Sequence, residues 1–471
     1  MTIVGAAPSV RFEPLPGIAR VAPADAAEAF RDLPGMALLE SARPGRNARW
    51  SFLTADPIAV VDAPGEGSDV LGAARTALAR LSPGSMESAG APPFAGGLVG
   101  YLSYDLGRRL ERMPSLAAAD QDLPLLRLAL HDWVIAWDRR TGTAWLGGRA
   151  MDGDVTGLER RLGTVRERLR VLGASSPRGD ALDAPTGIVF RSGLDRAAYE
   201  AGVRRVREAI ARGEIYQANL TRRLETALDG DPWPLYRRLR VGDPALFAAY
   251  LDLGPDPTND APRAIVSASP EPFLAVESDG RVWTDPIKGT RPRGATRSED
   301  RALARELLCS VKDRAENVMI VDVLRNDLGR ACRPGSIRVP RLCRLERTDA
   351  VQHLVTTITG RLAEGRDALD LLAASFPGGS ITGAPKIRAM EIIEGLEPVR
   401  RGPYTGAAGW ISPDGAMRTS ILIRTFVADG RRLSLHVGGG ITWGSDPAAE
   451  WDETVAKARG PLRAIGAVEA S

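Results

Sequence analysis

The chain has 471 residues, which is more than one ordinary domain needs, so we expect one large fold or two packed lobes. Hydrophobic residues make up 44% of the chain, enough to bury an ample core, and this excludes a disordered protein. The 62 basic and 59 acidic residues leave a net charge of +3. Since the arginines alternate with acids and aromatic residues make up only 5%, the sequence has neither a basic stripe nor a stacking surface for a nucleic acid.

Nothing in the sequence points to export or to a membrane. The first twenty residues lack a basic start followed by an apolar block, and no stretch reaches the ~18 apolar residues that a membrane span needs. Cys309, Cys332 and Cys343 are odd in number, far apart and without CxxC spacing, which predicts free thiols. We therefore expect a cytoplasmic protein.

Lysine is unusually scarce, with four residues against 58 arginines. A coding bias toward arginine would replace lysine wherever only charge and solubility matter. A neutral lysine can attack carbon, whereas arginine stays protonated, so the surviving lysines are candidates for chemistry. They are Lys288, Lys312, Lys386 and Lys457.

The chain divides into two regions joined by a linker. Residues 1–172 form an N-terminal region. Its residues 1–150 are predicted to be mixed and strand-rich, because segments such as 49–53 and 132–137 are aromatic or β-branched and bounded by turn formers. Residues 173–187 are predicted to be the linker, since their turn formers carry no apolar period. Residues 188–471 form the second region, and we expect both regions to pack as one large unit.

The second region contains more predicted strands than helices. Apolar residues from Tyr199 to Ile210 recur at steps of four and three, which predicts a helix that stops at Gly213. Asp446 and Pro447 predict the N-cap and first residue of the last helix. The other predicted elements are a strand at 214–222, a helical stretch at 301–329, and strands at 264–267, 351–360, 407–412 and 433–437. Because the strands outnumber the helices that could cross between them, we expect an α+β fold with antiparallel sheet.

Two pairs of carboxylates have helical spacing. Asp313 and Glu316 are three residues apart on one predicted helix, and Glu450 and Glu453 on another, so each pair shares a helix face. If the helices faced each other, their oxygens would suit Mg²⁺. Acids in first helical turns more often favour the helix dipole and face solvent, and this alternative stays open.

Three further segments are candidates for chemistry. The glycine-rich segment 376–386 fails the spacing of a nucleotide-binding P-loop, although its amides, like those of 437–440, could hold a carboxylate. Lys288 lies in a turn-rich segment that would hold its side chain at the end of a strand. His353, on a predicted strand, is a candidate for proton transfer, although a lone strand histidine is more often structural.

Several motifs of the second region occur together and in a fixed order. They are Gly213-Glu-Ile-Tyr-Gln-Ala-Asn-Leu220, Ser269-Pro-Glu271, Pro286-Ile-Lys-Gly-Thr290, 312–322, Arg325-Asn-Asp327, 376–386, 401–406 and 450–454. Across about residues 190–460 this order resembles the chorismate-utilising enzymes, the family of anthranilate synthase large subunits, aminodeoxychorismate synthase component I and isochorismate synthases.

The resemblance implies a fold of two stacked, mostly antiparallel β-sheets flanked by helices, with the active site between them. The N-terminal region is more loosely similar to that of the family, through Leu39-Glu-Ser41 and the segment 93–97. In anthranilate synthases this region holds a tryptophan feedback pocket. Tryptophan is therefore a candidate ligand of the N-terminal region, and no regulatory role is carried over with it.

Two positions distinguish the members of this family. The first is the position of Gln217. By resemblance, isochorismate and salicylate synthases have a lysine there that activates water, whereas the amide of Gln217 cannot act as a base. Where anthranilate synthases have alanine in Pro-Ile-Ala-Gly-Thr, Lys288 makes this chain similar to aminodeoxychorismate synthase component I. The resemblance thus implies conversion of chorismate and ammonia to 4-amino-4-deoxychorismate, for para-aminobenzoate and folate synthesis.

In the family account, the lysine amine adds at C2 of chorismate as the C4 hydroxyl departs, and ammonia then attacks C4 and expels the lysine. This implies that Lys288 is the nucleophile and is substantially neutral. Glu271 and His353 are the candidates for handling the proton of the departing hydroxyl, and the sequence does not rank them. The implied ligands of Mg²⁺ are Glu316 and Glu453, supported by Asp313 and Glu450.

The other site residues implied by the resemblance contact the substrate. They are Gln217, Thr290, Thr382, Gly383, Lys386, Tyr404, Arg424, Gly438, Gly439, Gly440 and Lys457. No cysteine has the glycine-flanked setting of a glutaminase nucleophile, so we expect a separate glutamine amidotransferase subunit to supply ammonia. Free ammonium should replace that subunit in vitro.

Two other functions stay open. Anthranilate synthase component I would add nitrogen at C2 and eliminate pyruvate, which requires Lys288 to be incidental. A non-catalytic binding protein, such as an arginine-rich nucleic-acid binder, is the remote alternative, and the low aromatic content and mixed charges argue against it.

Overall fold

The computed structural model describes residues 9–62, 69–84, 90–172, 187–348 and 351–470. The linker expected at 173–187 lies outside these residues except for Gly187. The described residues form two large β-sheets with helices packed on them. The expected α+β class with two mostly antiparallel sheets is therefore confirmed.

The described strands and helices are numbered in chain order. The strands are β1 (Val10–Pro14), β2 (Ala37–Glu40), β3 (Trp50–Thr54), β4 (Ala59–Asp62), β5 (Gly97–Leu102), β6 (Leu126–His131), β7 (Trp133–Asp138), β8 (Thr143–Arg149), β9 (Ile188–Ser192), β10 (Gln217–Ala227), β11 (Phe247–Pro255), β12 (Pro262–Ser269), β13 (Pro272–Val276), β14 (Arg281–Thr284), β15 (Ile287–Pro292), β16 (Arg338–Arg347), β17 (Val351–Arg361), β18 (Gly383–Ala384), β19 (Ala407–Ile411), β20 (Met417–Ile421), β21 (Thr425–Asp429), β22 (Arg432–Ile441) and β23 (Ala467–Glu469). The α-helices are α1 (Pro23–Ala27), α2 (Val70–Leu78), α3 (Gly107–Leu110), α4 (Val155–Leu172), α5 (Arg196–Ala211), α6 (Trp233–Gly242), α7 (Arg297–Cys309), α8 (Val311–Gly329), α9 (Ala368–Ser375), α10 (Lys386–Glu394) and α11 (Pro447–Ala464).

Strands from both regions of the sequence contribute to both sheets. The first sheet has the order β1-β8-β7-β3-β2-β11-β12-β21-β22-β10-β9-β23, with β18 paired to β10. The second has the order β15-β17-β14-β13-β20-β19-β5-β6-β4, with β16 paired to β17. All pairs of these strands are antiparallel except β9 with β23. Because β2 pairs with β11 and β5 with β19, residues 1–172 and 188–471 share a continuous backbone ladder in each sheet.

The alternation of side chains along β7 shows how the layers are built. Trp133, Ile135 and Trp137 belong to the cluster on the helix-covered face of the first sheet, whereas Val134 and Ala136 belong to the cluster shared with the second sheet. Successive side chains of a strand point to opposite faces of the sheet, so the side chains of one buried strand pack into two hydrophobic clusters. The result is an arrangement of helices, sheet, sheet and helices.

The two sheets meet through an aromatic contact. The ring of Phe52 on β3 lies 5.6 Å from that of Phe94 and 5.9 Å from that of Trp410 on β19, both edge to face. Aromatic pairs at these distances contribute about 0.5–1.5 kcal/mol beyond the area that they bury. This contact holds the first and second sheets together next to the N-terminal strands.

The predicted end of α5 and the predicted start of α11 are confirmed, since α5 ends at Ala211, shortly before Gly213, and α11 begins at Pro447. In α5, Tyr199, Val203 and Val206 are buried on one face. Before α11, Asp446 caps the helix by accepting a hydrogen bond from the amide of Ala449. Both results follow from local rules, the apolar period of a helix packed on a sheet and the capping preference of aspartate.

Two predicted boundaries are wrong. The helical stretch at 301–329 is two helices, because Ser310 has ψ of 109° and its hydroxyl accepts from the amide of Asp313 to start α8. A serine that caps a new helix ends the previous one, since its extended backbone cannot continue the turn. The strand predicted at 214–222 begins at Gln217 and runs to Ala227.

A β-bulge interrupts β15. The register with β17 shifts between Lys288 and Thr290, which leaves Gly289 as the extra residue. Gly289 has φ of +74°, and a Cβ there would lie 3.0 Å from both Asp313 Cβ and Leu307 Cδ1. Glycine is therefore required by the backbone conformation and by space, and the bulge changes the direction in which the strand presents its side chains.

No helix within the described ranges is both long and apolar enough to cross a membrane. Cys309 is exposed, Cys332 and Cys343 are buried, and all three are free thiols, as predicted. The tertiary structure is therefore held by packing and polar contacts without a disulfide.

A buried ion pair ties β10 to the segment before α10. The guanidinium of Arg401 donates to both carboxylate oxygens of Glu397 at 2.9 and 2.7 Å. It also donates to the carbonyls of Asn219 at 2.8 Å and Ile381 at 3.0 Å. Glu397 in turn accepts from the amide and hydroxyl of Thr221. One arginine thus connects three segments of backbone.

We predict that Arg401→Met lowers the free energy of unfolding by about 3–5 kcal/mol, because it leaves the Glu397 carboxylate buried without its cation. The measurement is urea denaturation followed by circular dichroism. The matched control is Arg196→Met, which removes an exposed pair with Glu200 and should change stability by less than about 0.5 kcal/mol. A loss below about 1 kcal/mol in Arg401→Met would show that the cross-link is unimportant.

Candidate active site

A cavity of about 700 Å³ lies between β10 and β22 of the first sheet and β15 and β17 of the second, and α8 and α11 flank it. It brings together side chains from motifs that are far apart in the sequence. The predicted site residues that line it are Glu271, Lys288, Thr290, Asp313, Glu316, His353, Tyr404, Arg424, Gly438, Gly439, Gly440, Glu450, Glu453 and Lys457.

Some predicted substrate residues do not line this cavity. They are Gln217, Thr382, Gly383 and Lys386. Gln217 lies behind Gly440, where an added Cβ would come within 2.5 Å of its amide nitrogen. Thr382 is fully buried and donates to the carbonyl of Gly378, and Lys386 donates to Asp327 at 2.7 Å. Lys386 lines a different pocket, together with Asp327.

Sequence reasoning missed other cavity residues. They include Asn219, Thr221, Ser310, Ser380 and His436. Lys312, which the scarcity of lysine made a candidate, lines the cavity together with Lys288 and Lys457. Asn219 follows Gln217 by two positions on a predicted strand and so shares its face. Ser380 lies in a turn whose contacts depend on tertiary packing, and no sequence pattern indicates them.

The amine of Lys288 is held inside the cavity. Its Nζ donates to the carbonyl oxygen of Ser380 at 2.8 Å. Burial lowers the pKa of Lys288, although the charges of Glu271 and Glu316 act in the opposite direction. The bulge at Gly289 places this side chain toward the cavity. The arrangement favours an amine that can lose its proton more easily than a lysine in water.

Glu271 is a buried acid beside this amine. It lies between β12 and β13, with 8% of its surface exposed. Burial raises the pKa of Glu271, and the charge of Lys288 with hydrogen bonds from Ser380 and the amide of Ile287 offsets part of that rise. A carboxyl group in such a setting can hold a proton and give it to a bound substrate.

His353 lies on β17 with its Nδ1 2.9 Å from the hydroxyl of Thr290 on β15. Burial lowers the pKa of His353 to about 4, and the charges of Arg43 and Arg424 add to this effect. The imidazole is therefore neutral near pH 7 and cannot act there as a general acid.

Two helices present their carboxylates to the same cavity. Asp313 and Glu316 come from α8, and Glu450 and Glu453 come from α11. Burial raises the pKa of Glu316, and the charges of Asp313 and Glu450 add to the rise. Burial also raises the pKa of Glu450. Although burial acts in the same direction on Glu453, the ion pair with Lys457 at 2.7 Å lowers its pKa overall.

These oxygens fit Mg²⁺ when an anionic ligand shares the ion. Within the part of the chain that the structure describes, no three or more acidic, histidine or cysteine side chains are arranged to hold a metal ion unaided. Mg²⁺ needs only one or two protein carboxylates if water and substrate oxygens complete its shell. Glu316 and Glu450 are held close enough for their charges to repel, and a cation would relieve that repulsion.

Gly438, Gly439 and Gly440 lie inside β22 and pair with β10. Their lack of side chains leaves the cavity open. A Cβ on Gly439 would lie 3.2 Å from an oxygen of Glu450 and 3.5 Å from one of Glu453. The strand predicted at 433–437 therefore extends through the glycines to Ile441, and there the backbone approaches these carboxylates closely.

The amides of Gly438 and Gly440 point away from β10. Their partners on that strand, Thr221 and Asn219, donate their own amides elsewhere, to Glu397 and to the Thr382 carbonyl. In a non-hydrogen-bonded pair of an antiparallel ladder, the backbone N–H and C=O groups of both residues point away from the partner strand. There the amine of Lys457 donates to the Gly438 carbonyl at 2.8 Å. The free amides and this lysine can hold an anionic group.

The remaining predicted substrate residues lie at the wall and the mouth. Tyr404 is buried and its ring stacks on His436 with centroids 4.8 Å apart. Arg424 has φ of +51°, and its guanidinium lies 3.6 Å from Asp243 at the partly exposed mouth. A cation at the opening and amides inside favour a substrate with more than one carboxylate.

Comparison with known proteins agrees with this chemistry. The family model described as chorismate binding enzyme matches residues 37–463. Anthranilate synthase component 1 of Streptomyces coelicolor is 41% identical, over 92% of this chain and 84% of that protein. Aminodeoxychorismate synthase component 1 of Salmonella typhimurium is 42% identical, over 78% of this chain and 76% of that protein.

Solved structures share the fold. The crystal structure of anthranilate synthase component I from Streptococcus pneumoniae superposes with a TM-score of 0.76 at 28% identity, covering 89% of this chain and 93% of that one. The residues that the family model matches include every described strand except β1 and β23, and every cavity residue named above. The chain therefore belongs to the family of chorismate binding enzymes.

Proposed function

We propose that this enzyme converts chorismate and ammonia to 4-amino-4-deoxychorismate, the reaction of an aminodeoxychorismate synthase component 1. The observation that carries the proposal is the amine of Lys288, which lies in the cavity and has a pKa lowered by burial. A nucleophilic lysine must be neutral, and arginine could not replace it. The relative from Salmonella typhimurium supports the proposal by its name and its identity of 42%.

The first step forms a bond between Lys288 Nζ and C2 of the ring. Both ring double bonds shift by one position, and the bond from C4 to its hydroxyl breaks. Glu271 gives its proton to that hydroxyl, which leaves as water. Because the imidazole of His353 is neutral, we assign the acid role to Glu271 and not to the histidine.

The second step reverses the displacement. Ammonia forms a bond to C4, the double bonds shift back, and the bond between C2 and Lys288 breaks so that the neutral amine is restored. The new ammonium group on C4 returns one proton to Glu271. Chorismate and ammonia thus give 4-amino-4-deoxychorismate and water, with the enzyme unchanged.

The substrate would be held by its carboxylates. The amides of Gly438 and Gly440, with Lys457, would bind one carboxylate inside, and Arg424 and Tyr404 would contact the other nearer the mouth. Glu316 and Glu453 would hold Mg²⁺, which supplies positive charge next to the ring carboxylate when it is bound.

Anthranilate synthase component 1 is the second candidate. The observation in its favour is the relative from Streptomyces coelicolor, which aligns with a larger share of this chain than the Salmonella typhimurium protein does. That reaction would add nitrogen at C2 and release pyruvate, and it gives Lys288 no role. The two candidates differ in their products, so product analysis separates them.

Ammonia would come from a separate subunit. Cys309 is exposed on α7, Cys332 and Cys343 are buried, and none of the three has the glycine-flanked setting of a glutaminase nucleophile. The relatives are named as component 1 of their synthases, which supports a second component. We propose that this partner is a glutamine amidotransferase.

A second cavity lies between the N-terminal region and the second region, and residues of both regions line it. It measures about 410 Å³, and its lining includes Leu39, Ser41, Trp50 and Pro93. These residues include the motifs through which the region resembles that of anthranilate synthases. We propose tryptophan as the ligand to test there by calorimetry.

The first prediction concerns the product. With chorismate, Mg²⁺ and ammonium chloride, the purified protein should form 4-amino-4-deoxychorismate and no pyruvate. Mass spectrometry of the product and a lactate dehydrogenase assay for pyruvate provide the two measurements. Anthranilate together with an equal amount of pyruvate would assign the enzyme to the second candidate.

The second prediction concerns the nucleophile. Lys288→Arg keeps the positive charge but should lower kcat by at least about 100-fold, because a guanidinium cannot form the bond to C2. The control is Lys312→Arg in the same cavity, which should keep most of the activity since Lys312 is exposed and acts only through its charge. Similar turnover in both variants would exclude covalent catalysis by Lys288.

The third prediction concerns the metal. Glu316→Gln should raise the Mg²⁺ concentration needed for half-maximal activity by about 10–100-fold, because it removes a negative ligand. Asp322→Asn on the exposed face of the same helix is the control and should leave that concentration unchanged. Mn²⁺ binding followed by electron paramagnetic resonance gives a second readout, and equal Mn²⁺ affinity in all three proteins would remove Glu316 from the site.

A further inference from the structure

The carbonyl oxygen of Ser380 accepts two side-chain hydrogen bonds in the cavity. Lys288 Nζ donates to it at 2.8 Å, and Nδ2 of Asn219 donates to it at 3.3 Å. A carbonyl oxygen has two lone pairs and can accept both bonds at once. Asn219 and the amine of Lys288 therefore meet at one backbone atom, from opposite sheets.

The other end of the Asn219 side-chain amide, its oxygen, is held by a second hydrogen bond. Its Oδ1 accepts from Nε2 of Gln217 at 3.0 Å, and Gln217 is 1% exposed. Both side chains lie on the same face of β10, and Gly440 on the neighbouring strand leaves room for them, since a Cβ there would lie 3.1 Å from the Asn219 oxygen. The Asn219 amide thus has one orientation that satisfies both neighbours.

The backbone around the shared carbonyl is also tied to β10. The amide of Asn219 donates to the carbonyl of Thr382, and Arg401 bonds the carbonyls of Asn219 and Ile381. The Ser380 carbonyl immediately precedes the carbonyls of Ile381 and Thr382 in the chain, and it accepts from the two side-chain donors described above. Asn219 is therefore the group from the first sheet that orients this carbonyl toward Lys288.

We propose that Asn219 is a positioning residue for the Lys288 nucleophile, an inference that rests on the function proposed above. A neutral amine has two hydrogens and one lone pair. When one hydrogen is bonded to the Ser380 oxygen, the lone pair is turned away from that oxygen and toward the cavity. By fixing the oxygen, Asn219 limits the directions in which the lone pair can point, and reaction rates depend steeply on such alignment.

The experiment follows the covalent adduct without turnover. Chorismate and Mg²⁺ are mixed with the enzyme in the absence of ammonia, and intact-protein mass spectrometry records the gain of chorismate minus water over time. Asn219→Ala should slow adduct formation by at least about tenfold, while the chorismate concentration that gives half the maximal rate changes less than about twofold. Asn219→Asp keeps the acceptor for Gln217 but loses the donor to Ser380, and it should show the same slowing.

Controls separate this inference from the function on which it rests. Asn259→Asp in an exposed turn keeps its bond to the Ala261 amide and should react like the unaltered enzyme. If the unaltered enzyme forms no adduct, the proposed function is wrong. If it forms the adduct and both Asn219 variants do so at the same rate, or if their loss lies in the half-saturating chorismate concentration, only the positioning role is overturned.

Discussion

The chemistry proposed for this protein requires a neutral lysine amine next to several carboxylates. The carboxylates are needed to bind a divalent cation, but their negative charges favour the protonated form of the lysine. Burial lowers the pKa of Lys288, but Glu271 and Glu316 oppose that effect. Two more lysines line the cavity, and each forms an ion pair with a carboxylate. Lys457 lies 2.7 Å from Glu453, and Lys312 lies 3.9 Å from Glu316. These cations offset part of the negative field, and burial outweighs the acids, so the pKa of Lys288 lies below its ordinary value.

That balance requires groups from both sheets to meet in one place. Lys288 belongs to the second sheet, whereas Asn219 and the glycines of β22 belong to the first. Each sheet is completed by strands from residues 1–172, through the pairs β2 with β11 and β5 with β19. The N-terminal region therefore contributes to the rigidity of the site even though no predicted catalytic residue comes from it. Separating the regions would break a ladder in each sheet and leave two exposed strand edges.

The sequence indicated the parts of this structure that depend on local patterns. The helix at Tyr199, the cap at Asp446 and the free cysteines follow from period, capping preference and spacing. The break at Ser310 was missed because serine is also common inside continuous helices, and only the cap to Asp313 decides between the two outcomes. The contact of Ser380 with Lys288 joins positions 92 residues apart, and no rule of local sequence describes it.

Overall similarity does not decide which carbon of chorismate receives nitrogen. Relatives bearing either name are 41% and 42% identical to this chain, so identity alone does not separate the two candidate functions. The difference must lie in the few atoms near the reacting ring. In an enzyme that adds ammonia directly to C2, a buried amine at position 288 would compete for that carbon with the true nucleophile. The bulge at Gly289 and the Ser380 carbonyl hold this amine inside the cavity, where such competition would be unavoidable. Lys288 as the nucleophile removes that conflict, and this is the physical reason to favour amination at C4.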